Sequence, residues 1–244
     1  MQKIEILYED NDTLVINKPP GLIVHSDGRT EEPSVAEWVL KNYPAIKDVG
    51  EPWVSPQGET ILRPGVVHRL DRTTSGVMVI AKNAAAYDAI KQQFQNRSLE
   101  KVYRAFAYGG FKTASGVIEK EIVRIRSTPP RWGVKRNGDD KKHRVAITEW
   151  NLLLQGVDPD TGEAAAMLEL RPKTGRTHQL RVHLKAVHHP IVCDPLYAAG
   201  KPCILGFTRP ALHAHKLIID LSSGRHTFEA PLPIDFIEAE KLLS

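Results

Sequence analysis

The chain has 244 residues, 41% hydrophobic and 25% charged, which is a globular composition with length enough for a substantial core. No apolar run is long enough to cross a bilayer, and the opening MQKIEILYEDNDT lacks the basic, apolar and small-residue regions of a signal peptide, so membrane insertion and secretion are not expected and the cytoplasm is. Lys and Arg number 33 against 29 Asp and Glu; this mild excess of +4 permits a polyanionic partner without demanding one.

In chain order, Ile4 to Tyr8 and Thr13 to Asn17 are predicted as strands joined by a turn on Glu9 to Asp12, the second ended by Lys18-Pro19-Pro20-Gly21. Ser34 is predicted to cap a helix containing Val35, Trp38 and Val39 that closes before Pro44, and Asp48 to Pro64 is read as a loop. Val77 to Ala81 is a continuous apolar run and so a buried strand. Asn83 caps a helix whose Tyr87, Ile90 and Phe94 mark one buried face. Strands follow at Lys101 to Tyr108 and Val117 to Ile125, then at Arg144 to Leu154 and Ala164 to Arg171. A short helix is expected from about His178 to Val187, and strands at Ala211 to Leu221 and Thr227 to Ala230. Strands in runs with few helices between them predict an α+β fold on a largely antiparallel mixed sheet, built as one domain spanning residues 1–244. Without an export signal, Cys193 and Cys203 are expected as reduced, buried small hydrophobes.

Two clusters could carry chemistry. His68-Arg69-Leu70-Asp71-Arg72-Thr73 sets one acid between two arginines, then turns through Thr74, Ser75 and Gly76 into the apolar run. Asp71 could be a surface ion pair, or a carboxylate held at a sheet edge where rigid support and solvent access coexist. The second cluster, Arg171 to Leu184, packs Lys173, Arg176, His178, Gln179 and Arg181 around a glycine turn at the start of a helix, an arrangement suited to phosphate or carboxylate. His178, His183, His188 and His189 lie at offsets that separate them around a helix, with no companion ligand, so no metal is expected; His213 and His215 share a strand face as structural residues. Between Arg124 and Arg144 a Pro/Gly-broken basic segment with Trp132 reads either as an RNA grip or as a solvated hairpin. P-loop, nucleophile-elbow, zincin, Cys-x-x-Cys and dinucleotide signatures are missing from the sequence.

Together, HRLDRTTSG (68–76), KVYRA (101–105), LELRPKTGRTHQLRVHL (168–184), DPLY (194–197) and ALHAHKL (211–217) resemble the ordered motif series of the RluA family of RNA pseudouridine synthases. EDNDTLVINKPPGLIVH near the start and EAPLPIDF near the end are also similar, so the resemblance covers nearly the whole chain. It implies a pseudouridine synthase-type domain with a central RNA-binding cleft that isomerises a specific uridine in a tRNA or rRNA stem-loop. Asp71 would be the catalytic aspartate, Tyr103 the active-site tyrosine, Arg181 the basic partner of the aspartate, and Arg69 the arginine that replaces the flipped uridine in the stack. His68, Arg72, Thr74, Arg176, His178 and Gln179 would contact RNA, and Leu212 would wall the base.

Isomerisation moves uracil from N1 to C5 attachment with no net redox change, so no cofactor is expected. The target base must leave its stack first, at a cost of a few kcal/mol, and a guanidinium plane can fill the gap. Because the motif series begins near Ile4, no S4-type domain is expected ahead of it, which strengthens the claim of the basic segment as an RNA contact; a monomer is expected. DPLY is followed by Ala198 and Ala199 where the family often has glycine. The rival readings are a non-catalytic RNA-binding or RNA-folding protein that uses the same basic surface, and a hydrolase using Asp71 with His68 or His178.

Overall fold

The computed structural model describes residues 3–26, 32–55, 58–125, 131–135 and 143–243. In chain order these form β1 (Glu5–Glu9), β2 (Thr13–Lys18), α1 (Val35–Asn42), β3 (Trp53–Val54), β4 (Thr60–Ile61), β5 (Ser75–Ala81), α2 (Ala84–Asn96) and β6 (Glu100–Tyr108). Next come β7 (Ser115–Ile125), β8 (Arg131–Val134), β9 (His143–Val157), β10 (Ala164–Pro172), α3 (Gln179–Ala186), β11 (Leu212–Leu221), β12 (Gly224–Glu229) and α4 (Ile234–Leu243). Neighbouring strands pair antiparallel, as in β1 with β2, β2 with β5, β10 with β6 and β9, and β11 with β12. The fold is therefore α+β on a largely antiparallel sheet, as the strand runs predict. The chain gathers into two compact units, Met1–Glu100 with Ala214–Pro231, and Lys101–His213 with Leu232–Ser244.

In the first unit the strands lie in the order β1-β2-β5-β11, with β12 beside β11. Every residue of β5 is buried, because both of its faces are covered; that is why SGVMVIA shows no alternation in sequence. One face packs with Val15, Tyr87, Ile90 and Phe228, the other with Leu14, Ile16, Val35 and Val39. Local signals set the boundaries. Ser34 Oγ accepts from Glu37 N at 3.1 Å while Glu37 Oε2 accepts from Ser34 N at 2.9 Å, a complete capping box at the start of α1. Asn83 Oδ1 accepts from Ala86 N at 2.9 Å and starts α2. The stretch read as one loop, Asp48 to Pro64, instead carries the short ribbon of β3 and β4, with Trp53 opposite Ile61; two-residue strands are too short to leave a periodic signal.

The second unit orders its strands β6-β10-β9-β7-β8. Its core joins Phe106, Leu168 and Leu170 of the sheet to Leu180 and Leu184 of α3 and to Phe236, Ala239 and Leu243 of α4. The sequence reading did not foresee α4. It lies against β9 where Gly156 leaves room: a Cβ there would stand 2.9 Å from Leu243 O. The basic segment is not all loop, since β8 pairs with β7 and sets Trp132 opposite Arg124; Arg126, Arg136, Lys141 and Lys142 lie outside the described residues.

The expectation of two reduced thiols is corrected: Cys193 and Cys203 form a disulfide, with Cα atoms 4.6 Å apart. Tyr108 brings the two ends of this loop together, since its hydroxyl accepts from Cys193 N at 3.2 Å and donates to Pro202 O. The reduced-thiol reading rested on compartment alone, whereas the pairing is set by geometry within the range a disulfide tolerates.

Candidate active site

The loop bearing Asp71 is fixed from both sides within the first unit. On one side, Lys18 is fully buried and its Nζ donates to Pro19 O at 2.9 Å, Leu22 O at 2.8 Å and Arg72 O at 3.1 Å. Gly21 N also donates to Arg72 O at 2.9 Å. The Lys18-Pro19-Pro20-Gly21 stretch thus grips the peptide just past Asp71. On the other side, Thr74 N donates to Asp71 O at 3.1 Å, closing a turn. The chain then enters β5 through Gly76, which has φ 115° and where a Cβ would lie 2.1 Å from Ala214 O; only glycine fits this approach.

His68 supports the same loop. Its Nε2 accepts from Val79 N at 3.1 Å, which puts its ring proton on Nδ1, and the ring stacks on Phe94 at 4.6 Å. Arg72 pairs with Glu32 at 2.6 Å on the surface, while Arg69 is exposed and Thr74 is buried.

Replacing Lys18 by Met would take a donor from three carbonyl oxygens, of which Arg72 O alone is shown to keep another in Gly21 N, at about 1–3 kcal/mol for a buried group left unsatisfied. Lys18→Met is expected to lower the unfolding free energy by about 2 kcal/mol and to slow turnover by loosening the Asp71 loop, measured by denaturant titration and by single-turnover rate. Parent-like stability would show that Lys18 does not hold the loop.

In the second unit, α3 starts at His178, whose φ of 55° is left-handed. Arg181, one turn in, is buried, and its Nε and Nη2 donate to the two oxygens of Asp194 at 2.6 and 2.9 Å. Asp194 Oδ1 also accepts from Leu196 N at 3.0 Å and Tyr197 N at 3.1 Å, so one carboxylate both shapes the DPLY turn and orients the guanidinium. The guanidinium lies over the Tyr197 ring at 5.0 Å. Tyr197 Oη in turn accepts from Trp132 N at 3.2 Å and bonds His178 Nδ1 at 2.9 Å, tying β8 to the start of α3.

Tyr103 stands on β6 opposite Leu170, packed against the core that also buries Leu212. Gln179 is buried. Its Oε1 accepts from Thr174 Oγ1 at 2.6 Å and Arg176 N at 3.0 Å, and its Nε2 donates to Ile147 O at 3.0 Å and Thr148 Oγ1 at 3.1 Å. An amide offers four hydrogen-bonding positions, and all four are filled inside the protein, so Gln179 shapes the Thr174–Arg176 turn.

Next to it, His183 bonds Thr148 Oγ1 through Nδ1 at 2.9 Å. Burial pushes its pKa down from 6.5 to about 4. Between these values the unfolded chain binds a proton that the folded chain does not. The stability this gives is complete above pH 6.5 and is lost as pH falls through 4. In that window the parent should lose stability more steeply than His183→Gln, by up to about 1.4 kcal/mol per pH unit, measured by urea unfolding; equal slopes would refute the assignment.

Residues 12–186 match the family model described as RNA pseudouridylate synthase, a span that holds Asp71, Tyr103 and Arg181. The chain belongs to that family. The RluA-type motif series read from the sequence anticipated this membership. A ribosomal large subunit pseudouridine synthase D of Borreliella burgdorferi is 36% identical over 226 residues, 93% of this chain and 63% of that protein. An uncharacterized RNA pseudouridine synthase, YhcT of Bacillus subtilis, is 34% identical over 96% of this chain and 70% of its own length. Among solved structures, human RNA pseudouridylate synthase domain containing 1 matches with a TM-score of 0.74 at 25% identity, over 95% of this chain and 84% of that one. The chain thus spans about two thirds of the length of the curated relatives it matches.

Within this family member, the sequence reading singled out Asp71, Tyr103 and Arg181, but it gave no role to Lys18, Asp194 or Tyr197. The signal was present: Lys18 lies in KPPG, and Asp194 and Tyr197 lie in DPLY.

Proposed function

We propose that this chain is an isomerase that converts a specific uridine to pseudouridine in structured RNA. The observation that carries the reading is the family match across residues 12–186, in which the Asp71 loop is held rigid by Lys18 and Gly76. Large-subunit ribosomal RNA is the favoured substrate, because relatives from Borreliella burgdorferi and Yersinia pestis bear the name ribosomal large subunit pseudouridine synthase D; tRNA is the alternative.

In this reading the target uridine leaves its stack, Arg69 fills the vacancy, and the uracil settles by Tyr103 and the apolar wall that includes Leu212. The Asp71 carboxylate acts at the sugar or at the ring, with Arg181 as its proposed basic partner. The N1–C1′ bond breaks, the base turns, C5 bonds C1′, the C5 proton leaves with help from the Tyr103 hydroxyl, and N1 gains a proton in exchange. Atoms and electrons balance within the nucleotide, so the reaction asks for no cofactor. Arg72, Arg176, His178 and the basic β7–β8 hairpin contact RNA, while His68, Thr74 and Gln179 support the loops.

The proposal further takes the chain as one catalytic domain that works as a monomer in the cytoplasm. No described helix is long and apolar enough to cross a membrane.

Pseudouridine mapping by carbodiimide labelling and primer extension, on RNA from cells with and without the gene, tests the reading. Loss of one signal in ribosomal RNA or tRNA, restored by the parent but not by Asp71→Asn, supports it. An unchanged map, with purified protein inert on total RNA yet still binding it, favours the non-catalytic RNA-binding reading.

A further inference from the structure

Arg63 stands five residues before the HRLDRT motif, outside every residue given a role above. Its guanidinium lies over the Trp53 ring of the β3–β4 ribbon, 5.1 Å from the centroid. Its Nε is buried, with no hydrogen-bond partner among the described residues. Burial and the positive charge of Arg69 both act on Arg63 to lower its pKa. The Arg69 charge is close enough to act on Arg63, and neither side chain forms an ion pair with a carboxylate among the described residues.

Such an arrangement costs stability in the free protein. A partly buried cation is normally paired, and a like charge beside it adds repulsion. The cost is offset when a polyanion supplies the missing negative charge. The segment is also held in place rather than loose. Gly65 has φ 65°, and a Cβ there would lie 2.1 Å from Ala81 O; its N donates to Val49 O at 2.8 Å and its O accepts from Ala81 N at 2.9 Å. The chain between Arg63 and Arg69 is therefore anchored to the end of β5. Trp53 contributes a flat platform that keeps the guanidinium plane fixed, so less freedom is lost when its donors engage a ligand. An Arg fork matches two oxygens of one phosphate, which is the chemistry an RNA backbone offers.

We propose that Arg63, braced on Trp53 and acting beside Arg69, clamps a backbone phosphate of the substrate RNA next to the extruded base. The clamp rests on the RNA substrate proposed above and adds to it a contact that positions RNA without reading its sequence.

The test is equilibrium binding of a short uridine-loop hairpin RNA to the full chain over a salt series, with KM and kcat for pseudouridine formation and a thermal melt on the same samples. Arg63→Gln is expected to weaken binding about tenfold and to flatten the plot of log affinity against log salt by about 0.7 to 0.9, the value of one phosphate contact. The larger kinetic loss should fall in KM. Arg63→Lys, which keeps the charge but not the fork, should keep most of the salt slope while losing affinity.

Unchanged affinity and slope in Arg63→Gln overturn the clamp. So does a lowered melting temperature in both variants with the parent's slope, because that marks a purely structural arginine. The two readings fail separately: a parent that makes pseudouridine beside an Arg63→Gln with an unaltered slope sinks the clamp alone. A parent that binds RNA with a slope sensitive to Arg63 but makes no pseudouridine sinks the activity alone.

Discussion

Asp71→Asn should abolish pseudouridine formation, by about 10⁴-fold or more as for a residue that takes part in the bond-making step, while RNA affinity stays near that of the parent. The substitution keeps the size and shape of the side chain and removes its charge. The loop around it has main-chain supports that the substitution leaves in place: Lys18 and Gly21 hold Arg72 O, and the Thr74 turn uses the Asp71 main-chain oxygen. An amide can neither attack C1′ nor add to the ring nor take a sugar proton, so each chemical route open to Asp71 ends. In the proposed reading RNA is bound by cationic groups elsewhere, among them Arg69 and the β7–β8 hairpin. Single-turnover assays at saturating RNA, paired with filter binding, separate the two effects. Turnover within a small factor of the parent would remove Asp71 from the chemistry. Lost binding with a lowered melting point would mean that the carboxylate is a fold determinant.

How far the sequence foretold these arrangements depends on how local their causes are. Ser34 with Glu37, and Asn83 with Ala86, are contacts across three residues, and both helix starts follow from them. The β5 run was legible because burial on both faces strips out polar residues. By contrast, α4 owes its place to a glycine in β9 some eighty positions earlier, and no local signal carries that. The disulfide escaped for a similar reason: the ends meet because Tyr108, distant in sequence, bonds both of them.

The same division holds in the site. The acid between two arginines was visible as a pattern, yet its supports were not. Lys18 reads as an ordinary surface lysine until its three carbonyl partners are known. Arg63 reads as one more basic residue until it is seen over Trp53 with a buried Nε that has no hydrogen-bond partner among the described residues. Arg181 was read as a partner for Asp71, and a second carboxylate, Asp194, proves to hold two of its nitrogens.

Asp194 carries the second large expected effect. Its side chain is wholly buried and that of Arg181 nearly so, with 0% and 6% exposure, so the pair is shielded from water and each charge offsets the other. Asp194→Asn should therefore cost about 3–5 kcal/mol of folding stability, the range seen when one partner of a buried pair is removed. The new amide can still accept from Leu196 N and Tyr197 N through its oxygen, which preserves the turn. Its NH₂ would then face the Arg181 Nε, donor against donor, and the buried guanidinium would lose this carboxylate's charge. Turnover should fall as well, because the guanidinium proposed as the basic partner of Asp71 would lose its orientation.

Adding Arg181→Met to Asp194→Asn removes the stranded charge and should return part of the lost stability without returning activity. Denaturant unfolding of the four members of this cycle measures the coupling, and single-turnover rates report the catalytic share. If Asp194→Asn unfolds within about 0.5 kcal/mol of the parent, as an ordinary surface substitution would, the pair is not what holds Arg181. If the double variant is no more stable than the single, the cost lies in the DPLY turn and not in the buried charge.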